Sequence, residues 1–152
     1  MVLPRALGLV IMTAGAAGAA PLATLATGAG DATLDVDGVV HFPGHGDVKL
    51  APRLIRAQLS GARYQGQDYV VAKITGPGQA EAVILRLDAG RWIELARTPI
   101  GGVGLDQDYG LDVTAGPDGI FRYQTRGDVR RCDGAPALVF ADKLDGARFR
   151  KA

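Results

Sequence analysis

The stretch QDYVVAKITGPGQAEAVILRLDAGRWIELAR, residues 67–97, decides the fold class of this chain. Apolar and other residues alternate along it with a period of two, so that Val70, Ala72 and Ile74 share one face, and this alternation is typical of β-strands. Gly-Pro and Asp-Ala-Gly separate its segments and are turn signals. Gly90 is predicted to take the left-handed position of a three-residue hairpin loop, because glycine adopts that conformation at no steric cost.

The same pattern of short alternating runs extends along the rest of the chain. Residues 109–126 read YGLDVT, AGPDG, IFRYQTR, and Pro117, Asp118 and Gly119 are suited to a tight turn between the two runs. A last pair of strands is predicted around Asp145-Gly146, and an earliest pair around Asp37-Gly38. Since no stretch of ten or more residues has helical spacing, we predict an all-β fold of antiparallel hairpins.

Two segments of the chain resemble each other at a distance of 40 residues. Gln-Asp-Tyr stands at 67–69 and again at 107–109, and the Gly-Pro pair at 76–77 recurs at 116–117. Strand-rich units of this length are typical of β-propeller blades. Two units do not close a propeller, so the expected architecture is a two-copy repeat arranged as a sandwich or a partial propeller or barrel.

The N-terminus has the plan of a secretion signal. Arg5 precedes an uncharged apolar run, and the small residues Ala17 and Ala19 fit a cleavage site before Ala20. We therefore expect a signal peptide over 1–19, a flexible leader over 20–31 and a single β-rich domain over 32–152. A buried Ala-rich helix and a cut nearer residue 30 are the alternatives. The expected location is periplasmic or extracellular, with no membrane span after signal cleavage.

Composition favours binding over catalysis. The formal charge of +1 falls to zero when Arg5 is removed with the signal, which argues against nucleic acid or an anionic membrane as partner. One cysteine, one serine, two histidines and two glutamates leave little for nucleophilic or acid–base chemistry. We expect a non-enzymatic binding or scaffolding module of the bacterial envelope, with a protein or carbohydrate partner. Trp92, Tyr69 and Tyr123 are candidates for stacking on a sugar where they are exposed, and the alternative is that they belong to the core or to an interface, as aromatic residues on two-sided strands more often do.

A rival function rests on the segment HFPGHGD. His41, His45 and Asp47 lie close together in sequence, and such a group can bind zinc in a small metal-dependent hydrolase. Pro43 and Gly44 prevent the two histidines from sharing a helical face, so this site requires a loop.

A weak calcium site is the second metal hypothesis. Asp106, Asp108 and Asp112 surround Gly110, and carboxylate oxygens beside a tight turn suit a hard cation. The alternative is that Asp108 caps a turn, since the related segment at 66–73 keeps only one of these acids. No other cofactor is expected.

Cys132, in GDVRRCDGAP at 127–136, is the single cysteine of the chain. Free cysteine packs as a small hydrophobic residue, so we expect a buried sulfur at the end of a short strand. The alternative is a half-cystine whose partner lies in another chain or in a missing C-terminal domain.

The segment GDVRRCDGAPALVFADKLD, residues 127–145, resembles part of the exported β-rich modules of GC-rich bacteria that precede a discoidin-like carbohydrate-binding domain. The resemblance implies that such a partner domain would begin after Ala152, so the chain is either a fragment or a free-standing version of the module. The spacing of the Asp-Tyr units is also similar to degenerate FG-GAP repeats, a family that binds calcium in Asp-rich loops.

Overall fold

The computed structural model describes residues 20–102, 109–130, 132–134 and 136–152. In these ranges every regular element is a β-strand, which confirms the predicted all-β class. The strands pair antiparallel with their neighbours in chain order and form three open sheets. No helix of the described ranges has the length and hydrophobicity to cross a membrane. The signal sequence predicted over 1–19 lies outside the described residues.

The first sheet has the order β1-β2-β3-β4. Its strands are β1 (Ala23–Thr27), β2 (Gly30–Leu34), β3 (Val39–Phe42) and β4 (Gly46–Lys49). The prediction of a flexible leader over 20–31 is wrong, because this stretch contains all of β1 and the start of β2. Burial alternates along β1, and Leu25 packs against the core. The sequence does not show this alternation because most of the side chains are Ala, Thr or Gly.

The second sheet has the order β5-β6-β7-β8. Its strands are β5 (Arg56–Tyr64), β6 (Gln67–Thr75), β7 (Ala80–Asp88) and β8 (Arg91–Pro99). The last three confirm the strands predicted within residues 67–97. Gly90 has the predicted positive φ of 80°, but the loop is a two-residue turn, because Asp88 pairs directly with Arg91.

The third sheet has the order β13-β12-β11-β10-β9. Its strands are β9 (Gly101–Gly102), β10 (Tyr109–Gly116), β11 (Gly119–Arg130), β12 (Pro136–Asp145) and β13 (Arg148–Lys151). The predicted hairpin at Pro117-Asp118 is confirmed, with Gly119 at a φ of 135°. The strands predicted around Asp145-Gly146 are confirmed as β12 and β13.

The second sheet is the middle layer of the molecule, because both of its faces are buried. One face packs on the first sheet in a core that contains Leu34, Val40, Val70, Ala72, Ile74, Val83 and Leu85. The opposite face packs on the third sheet in a smaller core that contains Val71, Ala82, Ile84, Val113 and Ile120. The alternation along β6 and β7 therefore supplies both cores, since successive side chains of a strand point to opposite faces.

One end of the molecule, which we call the hairpin end, carries hairpin turns from all three sheets. Antiparallel order places turns 65–66 and 89–90 of the second sheet at the same end. Turns 28–29 and 43–45 join them there, since the His45 ring contacts Gly90. Residues 145–146 of the third sheet border the same cleft as residues 65–67.

The two segments that resemble each other in sequence occupy different places in their sheets. Tyr69 lies in the second strand of its sheet, whereas Tyr109 begins β10, which pairs with the two-residue β9. Contacts between sheets join β1 to β5, β4 to β8 and β5 to β10. In the sequence repeat, β10 corresponds to β6. The contacts instead give β10 the same place in its sheet as β5, so the two-copy repeat remains a prediction. Gln107 and Asp108 lie outside the described residues.

Candidate functional site

A cleft of about 630 Å³ opens between the first and second sheets at the hairpin end. We call it the aromatic cleft. Its walls are formed by residues 25–29 of the first hairpin, Phe42, His45, residues 61–63 and 68–70 of β5 and β6, Leu87 and Trp92. Most of these side chains are apolar, and a few polar groups lie among them, a combination typical of small-molecule sites.

Phe42 and Trp92 form the aromatic wall of this cleft. Their rings stack with centroids 4.7 Å apart and planes 17° from parallel. Phe42 is buried, whereas Trp92 is only partly buried. Because one strand from each sheet contributes a ring, the stack also holds the two sheets together, and such pairs contribute about 0.5–1.5 kcal/mol beyond area burial.

Polar groups stand around the aromatic wall. His45 Nδ1 lies 2.9 Å from the Gly90 carbonyl oxygen, and since that oxygen only accepts, the ring donates from Nδ1. Arg63 Nη1 donates to Asp68 Oδ1 at 2.9 Å. The cleft therefore offers a cation, a carboxylate and an imidazole beside an indole ring.

A second cleft, of about 780 Å³, opens between the second and third sheets at the same end. We call it the basic cleft. Its walls include Tyr64, Gln65, Gln67, Tyr69, Arg86, Asp88, Ile120, residues 143–146 and residues 150–152. Tyr69 lines both clefts, so the start of β6 separates one from the other.

Cations outnumber acidic side chains in the basic cleft, where Arg86, Lys143, Arg150 and Lys151 face Asp88 and Asp145. Arg150 Nε lies 3.1 Å from Asp145 Oδ2, so one cation already has a carboxylate partner. Lys143 Nζ lies 5.0 Å from the Tyr64 ring centroid and 5.7 Å from that of Phe121. Within the described ranges, Arg86, Lys143 and Lys151 form no ion pair.

His41 lies in a different arrangement from the predicted zinc cluster. Its Nδ1 lies 2.9 Å from Asp47 Oδ1 and its Nε2 lies 2.9 Å from Asp35 Oδ2. Two hydrogen bonds to carboxylates require both ring nitrogens to donate, which only the imidazolium does. Hydrogen bonding to Asp35, followed by that to Asp47, raises the pKa of His41 above 6.5. The bond to His41 lowers the pKa of Asp35 below 3.8.

Of the predicted zinc ligands, the structure brings His41 and Asp47 together and turns His45 toward Gly90. A protonated imidazole has no lone pair to offer a metal. Among the residues that the structure describes, no group of three or more His, Cys, Asp or Glu side chains is arranged to hold a metal ion.

Asp112 is the one calcium candidate that lies in a described range, because Asp106 and Asp108 fall outside these ranges. Its Oδ1 lies 2.8 Å from Lys73 Nζ, and its Oδ2 accepts a hydrogen bond from the Tyr123 hydroxyl at 3.2 Å. Burial, together with the nearby Asp112 charge, raises the pKa of Tyr123. The Asp112 carboxylate thus joins β10 to β6 and β11.

Cys132 is exposed and unpaired within the chain. The prediction of a buried sulfur is wrong, because the residue lies in the turn region beyond β11 rather than at a packed strand end. Pairing with a cysteine outside this chain stays a prediction.

Sequence reasoning identified two of the residues that line the clefts, Trp92 and Tyr69, as stacking candidates. It missed Phe42 and the charged residues, among them Arg63, Asp68 and Lys143. Phe42 and Trp92 are 50 positions apart, and only the packing of two sheets brings them together. The one available signal was the excess of basic residues after Arg126, which supplies three of the four cations of the basic cleft.

Comparisons of the chain with protein-family models, with curated proteins and with solved structures gave no match.

Proposed function

We propose that this chain is a non-enzymatic, exported module that binds a sugar chain in the aromatic cleft. The observation that carries the proposal is the stacked pair of Phe42 and Trp92 on the wall of an open cleft. A stack that served only to join the sheets would have no need of an open space of about 630 Å³ beside it.

A sugar fits the chemistry of this cleft better than a wholly apolar ligand. A sugar ring presents C–H groups on its faces and hydroxyl groups around its edge, so it needs an aromatic surface flanked by donors and acceptors. Trp92 supplies the surface, and Arg63, Asp68 and His45 supply charged or polar groups at the rim. A few polar groups placed on an otherwise apolar wall give orientation and specificity.

The module is best described as an open array of propeller-type blades. Three meanders follow one another, β1 to β4, β5 to β8 and β10 to β13. Their first strands contact in the order β1, β5, β10, and β4 also contacts β8, so successive meanders pack face to face as neighbouring blades do. Ligand clefts between successive blades follow from this arrangement, because twisted sheets diverge at their ends.

The non-enzymatic part of the proposal is supported by the state of the titratable groups. His41 is held between two carboxylates and the Asp112 carboxylate is held by Lys73 and Tyr123. Neither group has the arrangement of a nucleophile with an adjacent base. Stoichiometric zinc in the purified protein, lost on replacing His41 and His45, would overturn this part.

The exported part of the proposal is supported by the signal-like residues 1–19. A C-terminally tagged chain is expected in the periplasmic or culture fraction, shortened by about the length of the signal. A full-length chain confined to the cytoplasm contradicts export. It does not affect the proposal of sugar binding, which has a separate test.

Calorimetric titration tests the binding proposal with cellohexaose, chitohexaose and methyl-esterified hexagalacturonate, three uncharged or nearly uncharged hexasaccharides. At least one is expected to bind. Trp92→Ala should abolish that binding, and Asp68→Ala, on the rim, should weaken it by about fivefold through loss of a hydrogen-bonding group.

The matched control is Ile93→Ala, because Ile93 is the partly exposed neighbour of Trp92 and lies outside the cleft. This variant should bind like the unaltered protein. If Trp92→Ala unfolds the chain, the effect of Asp68→Ala on sugar affinity tests the proposal by itself. Asp68 is on the partly exposed rim, so its substitution should leave the fold intact. Binding that none of the cleft variants changes would overturn the proposal.

A further inference from the structure

We propose that the basic cleft binds the acidic groups of the same sugar chain, so that the ligand is an acidic polysaccharide. This inference rests on the proposed function, because it assigns a charge class to that ligand. It is carried by a separate set of residues in a separate cleft.

The first argument is the state of the cations in the basic cleft. Arg86, Lys143 and Lys151 form no ion pair within the described ranges, although all three line one cleft. Like charges placed together repel each other, and an anionic group between them removes that repulsion. Arginine and lysine are also the side chains that form the strong, charge-assisted hydrogen bonds to carboxylate groups.

The second argument is the position of Lys143. Its ammonium group lies over the Tyr64 ring, 5.0 Å from the centroid. An aromatic face holds a cation without neutralising it. The side chain is thereby positioned in the cleft while its charge stays available to a ligand.

The third argument is the closeness of the two clefts, which lie on either side of the start of β6. Tyr69 lines both of them, and both open at the hairpin end. A single extended chain that crosses the start of β6 therefore contacts the aromatic wall with one sugar ring and the cations with another. A small anion would occupy only the basic cleft. Because Tyr69 brings the two clefts side by side, a ligand that occupies both of them is a polymer.

The test compares two ligands that share one sugar backbone and differ in the charge of their carboxyl groups, hexagalacturonate and its methyl ester. The acid is expected to bind about tenfold more tightly at low salt, and this advantage should shrink as the salt concentration rises, because exposed charges are screened. Lys143→Gln and Lys151→Gln should each reduce the affinity for the acid by about fivefold. Neither should change the affinity for the ester.

Arg56→Gln is the matched control. Arg56 is exposed, begins β5 at the end of the sheet away from the hairpin turns, and does not line the cleft. It removes one positive charge, as the cleft variants do, and should leave the preference for the acid intact. Lys151 is exposed and has no ring contact in the described structure, so Lys151→Gln tests the cleft even if Lys143→Gln weakens the fold.

The outcomes separate this inference from the proposed function. Equal binding of acid and ester overturns the acidic ligand and leaves sugar binding in place. Binding of the acid alone, lost with Lys143 and Lys151, supports the basic cleft and overturns the aromatic cleft. Sodium polyphosphate that binds the basic cleft as tightly as hexagalacturonate overturns the sugar polymer and reduces the cleft to a general anion site. No binding of hexagalacturonate or its ester overturns the acidic ligand, and if cellohexaose and chitohexaose do not bind either, the proposed function is overturned as well.

Discussion

At the scale of single residues, Gly38 is required by both its conformation and its surroundings. Its φ is +76°, and a Cβ atom at this position would lie 2.1 Å from the carbonyl oxygen of Ala51. Gly66 has almost the same φ, +75°, but a Cβ atom there would have no neighbour within 4 Å. Comparison of the two glycines therefore separates the free-energy cost of a left-handed backbone from the cost of a steric clash.

We predict that Gly38→Ala lowers the free energy of unfolding by more than about 3 kcal/mol, because backbone strain and a clash with rigid backbone add together. Gly66→Ala should cost only about 1–2 kcal/mol, the price of a left-handed alanine. Urea denaturation of the two variants measures the difference. Equal losses would show that the contact between Gly38 and Ala51 is not as close as described.

His41 makes the stability of the chain depend on pH. Because its pKa is raised above 6.5 in the folded state, its contribution is fully present below pH 6.5 and is lost as the pH rises through the folded pKa. The lowered pKa of Asp35 has the opposite sense, since that contribution is lost as the pH falls through a value below 3.8. The contribution of this pair is therefore greatest between about pH 4 and 6.5.

The prediction is that His41→Gln lowers the melting temperature most at pH 5.5 and has little effect at pH 9. The effect should be small, because the His41 side chain is 46% exposed and water screens such pairs. Thermal melts of the two proteins across this pH range measure it. A difference in melting temperature that does not change with pH contradicts the charged state assigned to His41.

At the scale of elements, the turn between β7 and β8 holds an alanine in a strained, left-handed backbone conformation that another residue would adopt more easily. Ala89 has a φ of 51° and Gly90 a φ of 80°, which is the geometry of a type I′ turn. Asparagine tolerates this conformation far better than alanine.

Ala89→Asn should therefore stabilise the protein by about 0.5–1 kcal/mol. The matched control is Ala147→Asn in the turn between β12 and β13, since Ala147 does not have a positive φ. Chemical denaturation of both variants decides. An equal gain in the control would mean that the added polar side chain stabilises the protein at any exposed turn, whatever the φ of the residue.

The elements that sequence predicts well are those whose pattern is complete within a short segment. Strands β6, β7 and β8 each contain several large apolar residues between flanking Gly residues, and the hairpin at Pro117-Asp118 has all of its turn residues. Strand β1 was missed because its side chains are mostly Ala and Thr, which alternate in burial without alternating in hydrophobicity. Local pattern therefore identifies a strand when large apolar residues and flanking turn residues mark it, and β1 lacks most of these large apolar residues.

At the scale of the whole molecule, the stack of three sheets includes polar contacts between layers. Arg122 of the third sheet donates from Nη1 to the Thr98 hydroxyl of the second sheet at 3.2 Å. Its Nη2 lies 2.6 Å from Asp142 Oδ2. Both side chains of this ion pair are largely buried, with exposures of 28% and 17%.

We predict that Asp142→Ala lowers the free energy of unfolding by about 2–3 kcal/mol, because it leaves a partly buried guanidinium without its carboxylate. Asp145→Ala, which removes the exposed partner of Arg150, should cost less than about 1 kcal/mol. Denaturant titrations compare the two. Similar losses would mean that Arg122 does not depend on its carboxylate for burial between the sheets.

The two clefts form between sheets, from residues far apart in the chain, and for that reason sequence alone predicts little of them. The apolar residues on both faces of β6 indicate that both faces are covered, but they do not say which sheets cover them. Trp92 faces Phe42 only because β8 and β3 belong to sheets that pack together. Tyr69 borders two clefts only because a sheet lies on each side of β6.

The fluorescence of Trp92 tests the central claim most directly, since it is the only tryptophan of the chain and stands on the wall of the aromatic cleft. Titration of the unaltered protein with hexagalacturonate and its methyl ester, followed by emission, reports on that wall alone. Sugar binding in the aromatic cleft predicts a saturable change in emission with both ligands, at a lower concentration for the acid. Calorimetric binding of either ligand without any change in Trp92 emission would contradict the account.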